Sequence, residues 1–351
     1  KMKALLFYGP DEYELKDVPK PVPKSGDILL KVKAAAICGS DIRMIANGYA
    51  GVSRKTPRIY GHEIAGIIEQ VGEDVADAGY APGDSVAVAP NIGCGVCDMC
   101  VSGNTHLCAD YRAFGINMDG GFAEYVIIPE KAVRQGNLVK INTGGTMSYA
   151  KAAVVEPLSC VYNGFEKLNI RPNDTVLIIG SGPIGIMHAI LAKMGGASKV
   201  IVNDLNENRL AAVSEFDPFF KTYHGDCLKE YIMAETEGRG VDACITACPA
   251  PAAQAMALEL LAMNGRVNFF GGLPAGRDRG ELSTNLIHYK QLVVTGSARA
   301  SLRQYRTCMR LVESGIIGID GILSAEYPLE DYEKAITAAR RGEKLKHIFV
   351  F

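Results

Sequence analysis

Hydrophobic and polar residues alternate over much of the first 150 positions, and turns rich in glycine and proline separate the alternating runs. Alternation with a period of two is typical of strands that bury one face. The series begins with a short apolar run, and a turn at Asp119-Gly120 precedes its last member. The pattern predicts a β-rich unit with strands at residues 4–8, 27–33, 64–71, 85–89 and 121–128.

The pattern changes near residue 150, where apolar strands begin to alternate with helical runs. A helical stretch over residues 148–168, which we expect Pro157 to interrupt, leads into the first of these strands. Strands that alternate with helices predict a parallel, doubly wound sheet. We expect its strands at residues 175–179, 199–203, 243–246, 266–270 and 292–295.

The last part of the chain offers a helical stretch at residues 301–314 and a closing strand at residues 347–351. This tail is too short to bury a core of its own. We therefore expect it to return to the first unit.

Composition and charge narrow the class of protein. The 351 residues are 48% hydrophobic and 22% charged, which suits two globular domains of ordinary size. A net charge of −2, without a basic run interleaved with aromatics, predicts no nucleic-acid partner. The apolar run at residues 4–8 is too short for a signal peptide or a membrane span. We therefore expect no membrane partner and a cytoplasmic location.

A glycine-rich turn follows the strand at residues 175–179 and opens a helix. Its glycines allow a tight turn and a close backbone approach to a pyrophosphate, and the helix N-terminus presents amide groups to it. The motif alone is weak evidence, but strand, turn and helix occur here in the required order. The predicted contacts are Gly180, Gly182, Pro183, Ile184 and Gly185.

Asp204 stands at the end of the following strand, about twenty residues beyond the turn. A carboxylate there accepts hydrogen bonds from an adenosine ribose and repels a 2′-phosphate, so NAD is expected rather than NADP. Arg209 is the opposing signal, since its side chain could meet a 2′-phosphate. A helix cap is the structural alternative for Asp204.

Four of the ten cysteines lie within fifteen residues, at Cys94, Cys97, Cys100 and Cys108. Four thiolates complete a tetrahedral zinc shell and leave no position for a substrate, so the pattern favours a structural zinc. An iron–sulfur cluster and a redox pair at Cys94 and Cys97 are the alternatives.

A second, dispersed set of residues offers a mixed metal shell. Cys38 closes a strand, His62 and Glu63 precede another, and Glu156 lies in the helical stretch. Each alone is more simply a buried or hydrogen-bonded residue. Together with the zinc loop and the nucleotide turn, they predict a catalytic zinc whose open position polarises an alcohol oxygen.

The whole chain resembles the zinc-dependent medium-chain dehydrogenase/reductase superfamily, particularly its sorbitol dehydrogenase-like, or polyol dehydrogenase, branch. The resemblance implies an α/β protein with a GroES-like catalytic domain at residues 1–155 and 297–351, a zinc lobe near residues 90–110, and a Rossmann domain at residues 156–296. It also implies two zinc ions per chain, NAD, and a homodimer or homotetramer. The motifs that carry it are Cys38-Gly-Ser-Asp41, Gly61-His-Glu63, the four cysteines, Asp119 to Tyr125, Glu156-Pro-Leu-Ser159 and Gly180 to Gly185.

The resemblance assigns roles in the oxidation of a secondary alcohol. Cys38, His62 and a glutamate bind the catalytic zinc, with Glu63 and Glu156 both candidates, and Ser40 hydrogen-bonds the reacting alcohol and receives its proton. Arg299 matches a residue that contacts substrate hydroxyls, although a solvated arginine is its structural alternative.

One position departs from the family pattern. Many relatives carry a proton-relaying histidine where this chain has Arg43. Because arginine stays protonated, it is not a terminal base, and the proton is expected to leave through water and a glutamate.

The expected substrate is a sorbitol-like polyol, which the reaction converts to a ketose. A polyol phosphate and L-threonine are the alternatives within the same fold. For a phosphorylated substrate, the candidate phosphate contacts are Arg43, Arg299, Lys344 and Lys346.

Overall fold

The computed structural model describes residues 1–351, which divide into two compact units. The first unit comprises Lys1–Ser159 together with Ala300–Phe351, and the second comprises Cys160–Arg299. The chain thus leaves the first unit once and returns to it once. The boundaries expected from the sequence, after residues 155 and 296, each lie a few residues before the boundaries in the structure, which follow Ser159 and Arg299.

Eighteen strands and eleven α-helices make up the two units. The strands are β1 (Met2–Gly9), β2 (Glu12–Val18), β3 (Ile28–Ala36), β4 (Arg58–Ile59), β5 (Glu63–Val71), β6 (Ser85–Val88), β7 (Asn91–Ile92), β8 (Arg112–Ala113), β9 (Tyr125–Ile128), β10 (Leu138–Lys140), β11 (Thr175–Ile179), β12 (Lys199–Asn203), β13 (Phe220–Tyr223), β14 (Val241–Thr246), β15 (Leu261–Phe269), β16 (Val293–Gly296), β17 (Leu323–Pro328) and β18 (Lys346–Val350). The helices are α1 (Gly39–Asn47), α2 (Asp98–Val101), α3 (Glu130–Gln135), α4 (Tyr149–Leu168), α5 (Pro183–Met194), α6 (Glu207–Phe216), α7 (Leu228–Glu235), α8 (Pro251–Leu260), α9 (Thr284–Tyr289), α10 (Leu302–Glu313) and α11 (Tyr332–Arg341).

The first unit is built on a seven-stranded sheet in which β18, from the end of the chain, lies between β3 and β17. β18 runs antiparallel to β3, with Ile348 opposite Ala36. Buried aromatic rings pack beside this sheet: Phe122 meets Phe349 edge-on at 5.1 Å between ring centroids. The last residues of the chain therefore form part of the core that the first residues begin.

The second unit is a six-stranded parallel sheet with the order β13-β12-β11-β14-β15-β16. This order, with β11 beside the point where the winding reverses, is that of a Rossmann sheet. All five residues of β11 are buried, which explains its continuous apolar run. The α/β fold class predicted from the sequence is confirmed.

Helix α4 corrects one expectation, because it continues through Pro157 instead of being interrupted there. A proline inside a helix removes one backbone donor and crowds the preceding turn. Val155, two residues before the proline, and Leu158, directly after it, are completely buried, so packing holds the helix together at that point. No helix of the chain is both long enough and apolar enough to cross a membrane.

Candidate metal centres and nucleotide loop

The four clustered cysteines bring their sulfur atoms together in one lobe. Cys94 Sγ lies 3.9 Å from Cys100 Sγ, and Cys97 Sγ lies 3.8 Å from Cys108 Sγ. Sulfurs around a zinc ion at about 2.3 Å are about 3.8 Å apart, because a tetrahedron's edge is about 1.63 times its centre-to-corner distance. The donor set therefore fits one tetrahedral ion.

Backbone amides support the thiolate form of these ligands. The N–H groups of Val96 and Cys97 donate to Cys94 Sγ at 3.4 and 3.3 Å, and that of Cys94 donates to Cys108 Sγ at 3.2 Å. The bonds from Val96 and Cys97 lower the pKa of the Cys94 thiol to about 6. Burial has the opposite effect at Cys100 and raises the pKa of its thiol to about 11. The amides therefore favour the thiolate, the metal-binding form, at Cys94 in particular.

A second donor set joins residues from separate parts of the first unit. The ligand atoms of Cys38, His62 and Glu63 all lie within 4.8 Å of one another. Cys38 caps α1, while His62 and Glu63 stand at the start of β5. Gly61 has a φ of 91°, and a Cβ there would lie 2.5 Å from the Phe122 ring, so only glycine fits before His62. One sulfur, one nitrogen and one oxygen leave a tetrahedral ion an open position.

Asp41 holds two of these ligands in place. Its carboxylate accepts a hydrogen bond from the Cys38 N–H at 2.9 Å and lies 3.4 Å from His62 Nδ1, an electrostatic contact rather than a hydrogen bond. Burial lowers the pKa of His62, but Asp41 and Cys38 outweigh it and raise that pKa well above its usual value. Sequence reasoning missed this role, although Asp41 stood within the quoted Cys38 motif. Such outer carboxylates orient metal-binding histidines.

Glu63 is paired with a lysine from the end of the chain. Lys346 Nζ donates to Glu63 Oε1 at 2.6 Å and to the Ile37 carbonyl at 2.9 Å, and both charged side chains are buried. The second oxygen, Glu63 Oε2, is buried without a hydrogen-bond partner. A metal ion would give this oxygen a partner, so the residues present fit one. The expectation that Lys346 contacts a substrate phosphate is wrong, because its ammonium is already used inside the first unit.

Ser40 and Glu156 lie in the same unit as the mixed donor set. Ser40 Oγ is 3.4 Å from His62 Nε2, which places its hydroxyl beside a predicted ligand. Glu156 lies on α4, is buried, and does not belong to the gathered set of three donors. Burial, and then the charge of Glu156, raise the pKa of the Tyr305 hydroxyl well above its usual value. Direct zinc binding by Glu156 stays a prediction.

Arg43 and Arg299 are both exposed. Arg43 lies on α1, three residues after Ser40. Arg299 is the last residue of the second unit and has a left-handed φ of 59°. Its carbonyl accepts a hydrogen bond from Asn163 Nδ2 at 3.0 Å. The substrate role of Arg299 stays a prediction.

The glycine-rich turn has the tight geometry that its sequence predicts. Gly180 has a φ of 115°, and a Cβ on Gly185 would lie 1.9 Å from the Gly180 carbonyl oxygen. Gly182 caps α5, and Pro183 and Ile184 form its first turn. Gly180 and Gly185 therefore need to be glycine for strand and helix to approach each other closely.

Asp204 is fixed against this turn by Ser181, which sequence reasoning did not single out. The Ser181 N–H and hydroxyl both donate to Asp204 Oδ2, at 2.7 and 2.8 Å. The Asn206 N–H donates to Asp204 Oδ1 at 2.9 Å. Arg209 follows on α6, partly buried, with its N–H bonded to Asn206 Oδ1 at 3.2 Å. The carboxylate is thus held in one orientation at the end of β12.

Comparisons with known proteins agree with this geometry. Residues 24–140 match the alcohol dehydrogenase GroES-like domain, and residues 183–314 match the zinc-binding dehydrogenase domain. L-threonine 3-dehydrogenase from Pyrococcus furiosus is 35% identical, over 99% of this chain and 97% of its own. Sorbitol dehydrogenase from Bacillus subtilis is 32% identical, over 96% and 93%.

Two solved structures share the fold along its whole length. One, described as a short-chain alcohol dehydrogenase from Escherichia coli CFT073 with NADH, has a TM-score of 0.88 at 28% identity, covering 100% of this chain and 99% of its own. A Sinorhizobium meliloti 1021 protein bound to NADP has a TM-score of 0.89 at 30% identity, with the same coverage. The chain therefore belongs to the zinc-dependent medium-chain dehydrogenase superfamily, and it is an alcohol dehydrogenase-type oxidoreductase.

The two donor sets predict different consequences of losing one thiol. Cys97→Ser should mainly destabilise the fold, because the closed set fixes a loop, whereas Cys38→Ser should abolish turnover and leave the fold largely intact. Thermal unfolding and zinc content, measured beside kcat, test this difference. Equal loss of folding in both variants would contradict it.

The buried Lys346–Glu63 pair makes a second prediction. Lys346→Met should lower the free energy of unfolding by about 3–5 kcal/mol, because it leaves a buried carboxylate uncompensated. Adding Glu63→Gln should recover part of the loss. Lys3→Met is the matched control: it breaks the exposed Lys3–Glu330 pair and should have a much smaller effect, because solvent screens that pair. Denaturant titration gives these values, and a Lys346→Met cost no larger than the control's would refute the role of burial.

Proposed function

We propose that this protein oxidises a secondary alcohol of a small, sorbitol-like polyol to a ketose, with NAD as the acceptor. The observation that carries the proposal is the mixed donor set of Cys38, His62 and Glu63, in which Cys38 is partly buried and the other two are buried. When bound, a zinc ion supplies a Lewis acid for the alcohol oxygen, and the nicotinamide supplies the hydride acceptor. The closed cysteine set would hold a second, structural zinc.

The protein's own residues move the proton. Ser40, whose hydroxyl lies beside His62, relays the proton: its oxygen accepts the proton of the bound alcohol as its own hydroxyl proton passes on. Arg43 stays protonated and is not the next base. Glu63 is already paired with Lys346, so we infer that Glu156 receives the proton, directly or through water.

The polarity of these residues favours a polyhydroxylated substrate. Glu156, Ser40 and Arg299 are the groups proposed to surround the reacting alcohol, whereas Glu63 has Lys346 on one oxygen and would give the other to the metal. Polar groups that lose water without gaining a partner cost about 1–3 kcal/mol each. A polyol supplies hydroxyls beside the reacting carbon that satisfy them, whereas a simple aliphatic alcohol does not. Such sites reject analogues that lack the matching group by large factors.

L-Threonine is the second candidate, supported by the 35% identity to an L-threonine 3-dehydrogenase over nearly the whole chain. It too carries a polar group beside the reacting alcohol carbon, so the same argument applies to its amine. The polyol-phosphate alternative is weaker, because Lys346, one of its four candidate phosphate contacts, is buried and paired with Glu63.

The carboxylate of Asp204 supports NAD as the preferred nucleotide. Its hydrogen bonds to Ser181 and Asn206 fix it at the end of β12, where a 2′-phosphate would meet a negative charge. The solved relatives include one with NADH and one with NADP, so the family accommodates both. We therefore infer the preference for NAD over NADP from the negative charge at this position.

We further infer a homodimer or homotetramer in the cytoplasm. β16 is an edge strand of the second sheet, and Val293 on it and Tyr289 before it are exposed, which suits pairing with a second copy. None of the ten cysteines forms a disulfide, and reduced thiols are typical of the cytoplasm.

Substrate polarity can be tested with a panel of alcohols. We expect kcat/KM for a C4–C6 polyol to exceed that for 2-propanol by at least about 100-fold, and Arg299→Ala to erode this advantage selectively. NADH formation with polyols, phosphorylated polyols and L-threonine is the measurement, and the best substrate identifies the class. Equal or faster turnover of 2-propanol would exclude the polyol assignment.

Nucleotide choice can be tested at one residue. Asp204→Ala should narrow the ratio of kcat/KM with NAD to that with NADP, because it removes charge repulsion with the 2′-phosphate. Asp226→Ala removes a carboxylate near the end of β13 and is the charge-matched control. A wild-type preference for NADP would show that the assignment is wrong.

A further inference from the structure

The cysteine lobe is closed at its base by two residues placed almost symmetrically around it. Asn91 lies three residues before Cys94, and Tyr111 lies three residues after Cys108. Asn91 begins β7 and Tyr111 directly precedes β8, and these two strands pair with each other. The Tyr111 hydroxyl also donates to Asn91 Oδ1 at 3.0 Å. The two ends of the lobe are therefore held together by backbone pairing and by one side-chain bond.

The NH2 group of the Asn91 side chain bonds to a part of the first unit that is distant in sequence. Asn91 Nδ2 donates to the Ala300 carbonyl at 3.1 Å, and both residues are buried. The amide orientation is determined, because a carbonyl only accepts and therefore needs the NH2 group. Asn137 Nδ2 fixes the Asn91 backbone by donating to its carbonyl at 2.8 Å.

Ala300 is a sensitive place for such a bond. It is the first residue of the returning segment, directly after Arg299, and it precedes Ser301, which caps α10. The Ser301 N–H is bonded to Gln304 Oε1 at 2.9 Å, so the helix start is rigid. Arg299, on one side of Ala300, has a left-handed backbone, and the helix cap lies on the other side. Because a peptide bond joins Ala300 to Arg299, we expect a shift of the Ala300 backbone to move Arg299.

We propose that Asn91 is a positioning residue that transmits the state of the cysteine lobe to Ala300 and thereby to Arg299. The effect of the lobe is then not only local. An ordered lobe keeps Tyr111 and Asn91 in place and, through Ala300, determines the position of the Arg299 backbone. Its effect on the substrate rests on the proposed function, in which Arg299 contacts a polar group beside the reacting carbon. The effect of Asn91 on the backbone at Ala300 does not depend on the proposed function.

The test combines hydrogen exchange with steady-state kinetics on the zinc-loaded protein. Asn91→Ala should speed amide exchange at residues 300–304 and raise KM for the best polar substrate about tenfold, with kcat changed by less than about twofold. KM for 2-propanol should not change. Tyr111→Phe, a milder variant that keeps the bond to Ala300, should give the same changes at smaller size.

Asn117→Ala is the matched control. Asn117 also makes two hydrogen bonds at the lobe base, to the Tyr111 carbonyl and from the Ala113 N–H, but none to Ala300. It should loosen residues 111–113 and leave exchange at residues 300–304 and substrate KM unchanged.

Three results would overturn the proposal. The first is that Asn91→Ala leaves amide exchange at residues 300–304 unchanged. The second is that Asn91→Ala speeds this exchange but does not raise KM for the polar substrate. The third is that Asn117→Ala changes both the exchange and the KM as much as Asn91→Ala does. If the wild-type enzyme shows no preference for polar substrates, the proposed function fails instead. The positioning role is then decided by exchange at residues 300–304 alone, with Asn117→Ala as the control.

Discussion

The buried ion pair between Lys346 and Glu63 is the interaction on which the architecture of the first unit depends. Removing two charges from water costs several kcal/mol per ion, and only close pairing with further hydrogen bonds compensates for it. Here the ammonium meets both the carboxylate and the Ile37 carbonyl, and the contact joins β18 to the start of β5. The segment that carries two metal ligands therefore requires the last strand of the chain beside it.

This dependence separates the two metal centres physically. The four cysteines lie within fifteen residues and are shaped by local amides, so their geometry needs little beyond the lobe itself. Cys38, His62 and Glu63 come together only when β3, β5 and β18 pair. A local closed set suits a structural metal, whereas an assembled set leaves an open position and exists only in the folded unit.

The same distinction explains what the sequence could predict. The strands at residues 175–179 and 199–203 have the bounds expected, because buried parallel strands are continuous apolar runs with clear turns around them. The glycine loop and the cysteine lobe were also recognisable, since their chemistry lies in consecutive residues. The strand expected at 121–128 begins only at Tyr125, because the residues before it bond elsewhere. The N–H groups of Gly121 and Phe122 donate to residues 60–61, and that of Glu124 donates to the Lys3 carbonyl. Such pairing across the sequence leaves no local signal.

The roles of side chains far apart in sequence were the hardest to foresee. Nothing near Lys346 indicates that its partner is Glu63, 283 residues away. A lysine on a short C-terminal strand resembles any exposed basic residue, so a phosphate contact was a reasonable but wrong expectation. Asp41 is different: its spacing from Cys38 is that of a helix cap, and this signal could have been used.

Metal binding and folding are therefore linked in the first unit, in opposite ways at the two centres. In the lobe, backbone amides favour the thiolate of Cys94, and the binding free energy of a metal would fix a loop that has little core of its own. At the mixed centre, the folded chain holds Glu63 Oε2 buried and without a hydrogen-bond partner, which is a cost of about 1–3 kcal/mol until something binds it. Burial raises the pKa of the Glu63 carboxyl, and the Lys346 ammonium opposes that rise. The contact with Lys346 thus favours the charged form of Glu63, which is the form that would bind an ion.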